Sequence, residues 1–495
     1  MTVGGIAASC LQGACKAFHV IGKIDHKPSG QISADEIEYC RGDVGASYRL
    51  LNAMMAEFNQ NPLDLRPDKA YSPASIAKAY LKKMGIKEPK RHFKLPNKVF
   101  GIAMQSYYGG RAECRIRKTA VPVIHTDFTS QYPTVNALLG NWNVLTSSSV
   151  RFVTCTASVR KLLARTRLEN TFDPNFWKKL SFFALVKPKA DILPVRTVYN
   201  SGYNKRTQNI GLNYLSSKKP IWYAGPDLFA SKILTGKTPK ILKATRMVPV
   251  GLQNSLVSTN LGGMVEIKPA EQDFYRTVIE QRVSHKKQNP ALANFLKVLA
   301  NSGSYGLFVE VNNETKKHAK TVAYFSGEEK GRVSSNYLEK SGSWYLPPLA
   351  SLITSGGRLL LALLEKSVQN RKGSYLFCDT DSLCVVGSQT GGFIECPGGS
   401  IRRKRKSGIR ALSLNEIKEI AREFNKLNPY DRARVPEILK IEDVNFVDSD
   451  PQKPFRQLFG YAISAKRYAL YTQSAKGICI KKPVDTDSVT CVRQK

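Results

Sequence analysis

The chain is short of the features that build metal cages, disulfide frameworks and membrane spans. Its ten cysteines are scattered, no CxxC pair occurs, and the six histidines form no Cys/His cluster with zinc spacing. No stretch approaches the roughly 18 to 20 apolar residues that cross a bilayer. The start of the chain also lacks the charged segment of a signal peptide. We therefore expect reduced thiols, no membrane partner and a cytoplasmic location, in a microbial, plasmid or viral setting.

Acidic residues are also scarce. The 495 residues include 39 Asp and Glu against 75 Lys and Arg, which gives a formal net charge of +36. So large an excess predicts a polyanionic partner, and nucleic acid is favoured over an anionic membrane surface. The hydrophobic fraction of 42% excludes global disorder. A chain of this length is expected to form a sizeable core and more than one domain or subdomain.

A β-hairpin with a short polar tip is predicted over Ser374–Gly387, read as SYLFCDTDSLCVVG. Asp379 and Asp381 share that tip, where two carboxylates repel each other unless a cation neutralises them. A carboxylate-held Mg²⁺ commonly takes a further carboxylate and substrate phosphates. Asp127 supplies a candidate, because it stands at the end of a predicted buried strand, Val123–Thr126.

Two antiparallel helices are predicted within Gln272–Gly306, broken at Asn289-Pro290. Each helix presents polar residues at i and i+4, so the pair either clamps a triphosphate or is a solvated basic hairpin. The residues concerned are Arg282 and Lys286 on the first helix, and Lys297 and Asn301 on the second.

Local signals predict further helices. An amphipathic helix is expected around Val44–Phe58, with Tyr39 and Asp43 one turn apart near its start. Ser72 and Pro73 favour a second helix, with the serine as N-cap. An apolar helix is expected over Trp344–Val368, and a capping box opens another: Ser413-Leu414-Asn415-Glu416.

Three short segments carry basic residues, and two of them are candidates for a phosphate contact. Tyr107–Glu113 contains paired glycines and Arg111, which fits either a phosphate contact or a plain turn. Lys466 and Tyr468 alternate and are expected on one face of a strand. The basic block Arg402–Lys406 is read as a phosphate contact, an exposed loop or a nuclear-targeting segment.

Taken in order, these segments resemble the motifs of family-B DNA polymerases. DFTSQYP (Asp127–Pro133), KVLANSGSYG (Lys297–Gly306) and FCDTDS (Phe377–Ser382) resemble motifs A, B and C. AKRYA resembles the KxY primer-binding motif, YYGG the YxGG motif, and EYCRGDV the third exonuclease motif. Motif B departs from the family, since Tyr305 lies four residues after Asn301 instead of three. That offset rotates a helix by about 100°.

The resemblance implies DNA-directed DNA synthesis, in which dNTPs are added to a primer 3′-hydroxyl on a DNA template. Two Mg²⁺ ions, with Mn²⁺ as an alternative, serve this chemistry. Asp127 and Asp381 are then the metal ligands and catalytic residues, with Asp379 as an outer catalytic carboxylate. Tyr132 excludes a 2′-hydroxyl. The expected dNTP-binding residues are Arg282, Lys286, Lys297, Asn301, Tyr305 and Tyr132, and the expected DNA-binding residues are Tyr107, Gly109, Gly110, Lys466 and Tyr468.

The resemblance also implies an α+β fold: a right-hand polymerase palm with an antiparallel sheet, helical-hairpin fingers, a partial thumb and an exonuclease-domain remnant. No DxE pair precedes Tyr39, so we expect no proofreading. A separate exonuclease or thumb polypeptide, or a terminal protein, is an expected partner. The predicted parts are the exonuclease remnant (1–95), the linker and motif A (96–140), a β-rich insertion (141–250), the fingers (251–312), the palm (313–472) and the start of a thumb (473–495).

Other functions stay open at this stage. The chain fits a catalytically silent nucleic-acid-binding remnant, or half of a split polymerase. A reverse transcriptase or an RNA polymerase fits less well, because the DTDS tip and the order of the motifs favour family B.

Overall fold

The computed structural model describes residues 11–24, 26, 30–61, 63–200, 206–474 and 477–482. The chain divides into two compact units. The small unit comprises Met1–Lys87 and Gln253–Gly303, and the large unit comprises Glu88–Leu252 and Ser304–Lys495. The predicted six-part division stays a prediction, and residues 475–476 and 483–495 of its last part lie outside the described residues.

The small unit contains the predicted amphipathic helix, which runs from Ala34 to Asn59 with Ser33 as N-cap. The helix is confirmed, but its expected apolar face is only partly buried. Leu50 and Phe58 are buried, whereas Val44 is 71% exposed. The helix packs on Leu11–Ala17 through a small apolar cluster that includes Cys15.

The predicted helical pair also belongs to the small unit. Its helices are Phe274–His285 and Pro290–Ser302, so the break at Asn289-Pro290 is confirmed. Asn289 accepts a hydrogen bond from the Leu292 N–H, which caps the second helix. The predicted Ser72 helix is Pro73–Lys83, although the Ser72 side chain makes no capping hydrogen bond. The remaining elements of this unit are the 3₁₀ turn Pro67–Lys69 and the paired strands Thr259–Leu261 and Val265–Ile267.

The large unit is built on a mostly antiparallel sheet, which has eleven strands among the described residues. Val121–Phe128 lies near its middle and is buried along its length, apart from a partly exposed Asp127. In order across the sheet the main strands are Ala112–Cys114, Tyr375–Asp379, Ser382–Ser388, Val121–Phe128, Leu458–Ser464, Arg467–Ser474 and Gly477–Lys482. The side branches are Gly392–Glu395, Ile401–Arg403, Lys406–Ser413 and Leu439–Ile441.

A long apolar helix, Pro347–Asn370, forms the core beside this sheet and confirms the expected Trp344–Val368 helix. Among the described residues it is the one helix long and apolar enough to cross a membrane, yet its apolar window is wholly buried inside the protein. Its composition therefore reflects a core position. The helix Leu414–Phe424 begins at Ser413 with the predicted capping box.

The rest of the large unit surrounds these elements. A four-stranded sheet joins Ser149–Thr154, Ile241–Val250, Phe182–Val186 and Ile221–Ala224, and two long hairpins are Lys189–Asn200 with Arg206–Ser216 and Val311–Ser326 with Glu329–Ser341. The other α-helices are Pro89–Phe93, Asn97–Gln105, Gln131–Leu139, Trp142–Leu145, Thr156–Arg165, Pro174–Trp177 and Gly225–Thr235. The 3₁₀ turns are Glu169–Phe172, Gly306–Val309, Asn425–Leu427, Asp443–Asn445 and Val447–Ser449.

Candidate active site

Three carboxylates lie at one end of adjacent strands in the central sheet. Asp127 is the register partner of Ser382, next to Asp381 in the chain. The Phe128 N–H donates to the Asp381 carbonyl oxygen at 2.9 Å, which ties the two strand ends together. Asp379 closes the other strand of the same hairpin, opposite Ser382. The structure thus brings together Asp127, Asp379 and Asp381, each partly buried.

The tip that carries two of these carboxylates is held in an unusual conformation. Thr380 has φ of 58°, a region that β-branched residues rarely adopt. Its N–H donates to the Arg111 carbonyl oxygen at 2.8 Å, and its hydroxyl donates to Asp379 Oδ1 at 3.1 Å. Such strained positions cluster at functional sites, where surrounding bonds hold them.

Two lysines accompany the carboxylates. Lys440 is the register partner of Asp127. Burial alone lowers the pKa of Lys440, but its hydrogen bond to Glu442 and the nearby Asp127 raise that pKa overall. Lys466 Nζ lies 3.2 Å from Asp379 Oδ1. The site therefore places positive charge beside each strand end.

Lys466 corrects one sequence prediction. It was expected on a strand face with Tyr468, but the strands are Leu458–Ser464 and Arg467–Ser474, so Lys466 lies in the turn between them. Its φ of 62° gives the reason, since a left-handed residue closes the tight turn. Tyr468 is within the strand, and its ring stacks on Phe377 with centroids 3.6 Å apart. Burial raises the pKa of the Tyr468 hydroxyl.

An aromatic pair lies near the same end of the sheet. Tyr132 occupies the first turn of the helix Gln131–Leu139. Its ring centroid is 4.5 Å from that of Tyr305. Burial and the neighbouring Tyr305 raise the pKa of the Tyr132 hydroxyl, so the hydroxyl stays neutral.

The motif B offset is explained by where its helix ends. The helix stops at Ser302 and Gly303 caps it, so Tyr305 lies beyond the helix. The expected 100° rotation therefore does not apply to Tyr305, whose ring lies beside that of Tyr132.

Gly110, the second of the paired glycines, packs directly against the tip. A Cβ at Gly110 would lie 2.9 Å from Thr380 Cγ2 and 3.0 Å from the Tyr132 hydroxyl. Glycine therefore allows the backbone to touch both side chains. Burial raises the pKa of the neighbouring Tyr107 to about 12, with Tyr305 adding to the effect. The YYGG segment thus contacts the hairpin tip and the aromatic pair.

Sequence reasoning missed the side chain that holds this segment. Arg358, on the long apolar helix, donates to the carbonyl oxygens of Tyr108 at 2.9 Å and Gly109 at 2.6 Å. It also donates twice to Asp227, at 2.8 Å each, and both side chains are fully buried. A lone arginine in an apolar run was the signal available, but its partner lies 131 residues away.

The segment that contains Arg111 was read as either a phosphate contact or a plain turn. The phosphate contact is wrong for Arg111, because its side chain is only 2% exposed. Its Nη2 lies 2.7 Å from Glu113 Oε2 and 2.7 Å from Glu365 Oε2, with the Tyr375 hydroxyl at 3.1 Å. Two carboxylates already neutralise this guanidinium, so it serves as an internal support beneath the tip.

The pairing of Glu113 makes a pH-dependent prediction. Burial works to raise the Glu113 pKa, but Arg111 and the Leu212 N–H outweigh it and lower that pKa overall. A lowered folded-state pKa stabilises the protein above the unfolded-state pKa, and this stability is lost as the pH falls. We expect Glu113→Gln to have a lower free energy of unfolding than wild type at pH 7. This difference in free energy should become smaller below about pH 4.5. Urea unfolding at several pH values measures the difference in free energy, and a substitution at an exposed site, Glu419→Gln, is the control. A difference that does not change with pH would contradict the lowered pKa of Glu113.

Four predicted dNTP-binding residues belong to the small unit. Arg282 lies near the end of Phe274–His285, and Lys286 caps that helix. Lys297 and Asn301 lie on Pro290–Ser302, and both are exposed. Their role as a triphosphate clamp stays a prediction.

The exonuclease-like pair also lies in the small unit. Asp43 forms an ion pair with Lys23 at 2.9 Å. Tyr39 stacks on His26, with ring centroids 4.9 Å apart. Both motif residues are therefore engaged with side chains from the segment that precedes their helix.

Mg²⁺ binding at the sheet edge stays a prediction. Within the described part of the chain, no group of three or more His, Cys, Asp or Glu forms a cage for a metal ion. Mg²⁺ does not need one, since one or two carboxylates and substrate phosphates commonly hold it. Asp127 ends its strand opposite Ser382, and Asp381 precedes Ser382 in the hairpin turn, so both offer hard oxygen donors at this edge of the sheet.

Comparison with known proteins gives a structural likeness alone. No family model matches the sequence, and no curated protein matches it. A Phi29 DNA polymerase complexed with primer-template DNA and incoming nucleotides is similar with a TM-score of 0.49 and 14% identity, covering 97% of this chain and 72% of that chain. The orthorhombic crystal form of Phi29 DNA polymerase is similar with a TM-score of 0.45 and 14% identity, covering 96% of this chain and 69% of that chain. Phi29 DNA polymerase complexed with single-stranded DNA is similar with a TM-score of 0.43 and 14% identity, covering 96% of this chain and 68% of that chain. A likeness of this size carries no functional conclusion.

Proposed function

We propose that this chain is a DNA-directed DNA polymerase that adds dNTPs to a primer 3′-hydroxyl. The supporting observation is the set of carboxylates at one sheet edge: Asp127 and Asp381 are joined through the Phe128 N–H, and Asp379 lies beside them. The net charge of +36 suits a polyanionic substrate. Primer-template DNA and dNTPs are the proposed partners.

Each residue of the edge has a proposed task. Asp127 and Asp381 would hold two Mg²⁺ ions, which would supply charge neutralisation for the transfer of the nucleotide. Asp379 keeps Lys466 at the edge through their 3.2 Å contact, and that lysine binds the primer end. Tyr468, fixed by its stack on Phe377, supports the same primer strand. Gly109 and Gly110 let the template backbone approach closely.

Tyr132 is proposed to select the sugar. Its ring is held by Tyr305 and its hydroxyl touches the Gly110 position, so it has little freedom to make room for a 2′-hydroxyl. We expect Tyr132→Ala to lower the preference for dNTP over rNTP by at least about tenfold, or 1.4 kcal/mol. Steady-state incorporation of each nucleotide measures this ratio. Tyr132→Phe keeps the ring and is the matched control; unchanged selectivity in Tyr132→Ala would exclude this role.

We propose that this chain synthesises DNA and that its described residues provide no proofreading exonuclease activity. Tyr39 and Asp43 match the exonuclease pattern, but the Asp43 carboxylate is paired with Lys23. Release of nucleotides from a mismatched 3′ end in the presence of Mg²⁺, abolished by Asp43→Asn, would contradict this proposal.

A catalytically silent DNA-binding protein is the second candidate. The excess of basic residues favours binding on its own, whereas the carboxylates at the sheet edge favour catalysis. Primer extension with Mg²⁺ separates the two. A polymerase extends the primer, and chelation by EDTA abolishes extension without releasing the DNA. Salt-sensitive binding with no incorporation at any metal concentration would favour the silent protein.

A further inference from the structure

The basic block Arg402–Lys406 forms the tip of a β-hairpin in the large unit. Its strands are Ile401–Arg403 and Lys406–Ser413, and the register pairs Arg403 with Lys406. All five side chains are exposed. The longer strand continues beyond the hairpin into the core, where Ala411 belongs to the same buried cluster as Phe377 of the carboxylate hairpin. The exposed tip is thus joined to the core through this strand.

The turn at this tip is strained. Lys404 and Arg405 have φ of 45° and 67°, so both central residues of a two-residue turn are left-handed. Asn-Gly is the pair that fits this turn best, because glycine tolerates positive φ. Side chains with a Cβ in such positions are a reason to look for a function.

The arrangement of positive charges at the tip also destabilises the hairpin. Arg403 and Lys406 lie directly opposite each other, and like charges in that arrangement destabilise a hairpin. Lys406 is relieved by Glu395, 2.7 Å away. Among the described residues, no acidic partner is paired with Arg402, Arg403, Lys404 or Arg405. An anion bound between the two strands would offset this repulsion.

We propose that the Arg402–Lys406 tip is an auxiliary binding surface for the phosphate backbone of DNA, separate from the carboxylate edge. Exposed cations on a defined hairpin turn suit the repeated phosphates of DNA, whereas a targeting signal has no need of a strained hairpin. The inference rests on the proposed function only for the choice of DNA as the polyanion. It requires no catalysis.

Salt dependence of DNA binding tests this surface. The tip variant carries Arg402→Gln, Arg403→Gln, Lys404→Gln and Arg405→Gln. The control removes four other exposed lysines of the large unit: Lys178, Lys179, Lys218 and Lys219, each changed to Gln. Binding of duplex primer-template is measured without metal or dNTP, so failure of catalysis leaves the result intact. We expect the slope of log K against log salt to fall by about 2 to 4 in the tip variant, at about 0.9 per phosphate contact. An equal fall in the control overturns the proposal, and so does an unchanged slope.

A second variant separates binding from a structural role. Lys404→Asn with Arg405→Gly installs the turn pair that fits best while removing two cations. We expect unchanged or higher thermal stability together with weaker DNA binding. Higher stability with unchanged DNA binding would mean that the tip is only a turn. Weaker binding of the tip variant to phosphatidylserine vesicles, with DNA binding intact, would assign the surface to membranes and overturn the proposal.

Discussion

Replacing Asp381 by asparagine is expected to lower the rate of nucleotide incorporation by at least about a thousandfold, or about 4 kcal/mol. The amide is nearly isosteric but carries no charge, so it cannot neutralise a divalent cation. The Asp381 carbonyl accepts the Phe128 N–H through the backbone, which the substitution leaves in place. The fold is therefore expected to persist, and primer-template binding should stay within about threefold of wild type.

The same substitution elsewhere gives the control for this result. Asp448 carries an exposed carboxylate of the large unit, paired with Lys453, and has φ of 53°, which asparagine also tolerates. Asp448→Asn should therefore retain full incorporation. Asp127→Asn should match Asp381→Asn. Equal extension by wild type and Asp381→Asn would show that the carboxylates have been assigned wrongly.

Removing the buried arginine is expected to have the second large effect, this time on stability. Arg358 and Asp227 are both fully buried, and each is the charge partner of the other. Loss of one partner leaves an uncompensated charge in the core, which costs about 3–5 kcal/mol of unfolding free energy. Arg358→Met should also release the carbonyl oxygens of Tyr108 and Gly109.

Tryptophan fluorescence during urea unfolding measures this effect in the large unit alone. All four tryptophans belong to that unit and are buried: Trp142, Trp177, Trp222 and Trp344. The double variant Arg358→Met with Asp227→Leu removes both charges and should recover part of the loss, which gives the coupling between the partners. Additive losses in the double variant would show that the two charges do not stabilise each other.

The sequence predicted elements whose signals are local. Apolar runs on both sides of a polar tip predicted the carboxylate hairpin, Asn289-Pro290 predicted a helix break, and Ser413 with Glu416 predicted a capping box. Each of these depends on neighbours within a few residues, and each is confirmed. The sequence also named Asp127, Asp379 and Asp381, which lie at the same edge of the sheet, while their roles stay predictions.

Features that depend on residues far apart in the chain could not be predicted from the sequence. Lys466 lies in a turn because its own backbone is left-handed, and no local sequence pattern predicts that conformation. The pairing of Arg358 with Asp227, and of Arg111 with Glu365, joins residues separated by 131 and 254 positions. The exposed side of Ala34–Asn59 is another case, because periodicity predicts an apolar face without saying whether anything covers it.

The most direct test of the central claim is template-directed incorporation by the purified wild-type chain. A primer-template with one defined next base is incubated with Mg²⁺ and each of the four dNTPs in separate reactions. The proposed function predicts one-nucleotide extension by the complementary dNTP, strongly preferred over the other three and abolished by Asp381→Asn. Absence of extension, or extension by all four dNTPs alike, would contradict it.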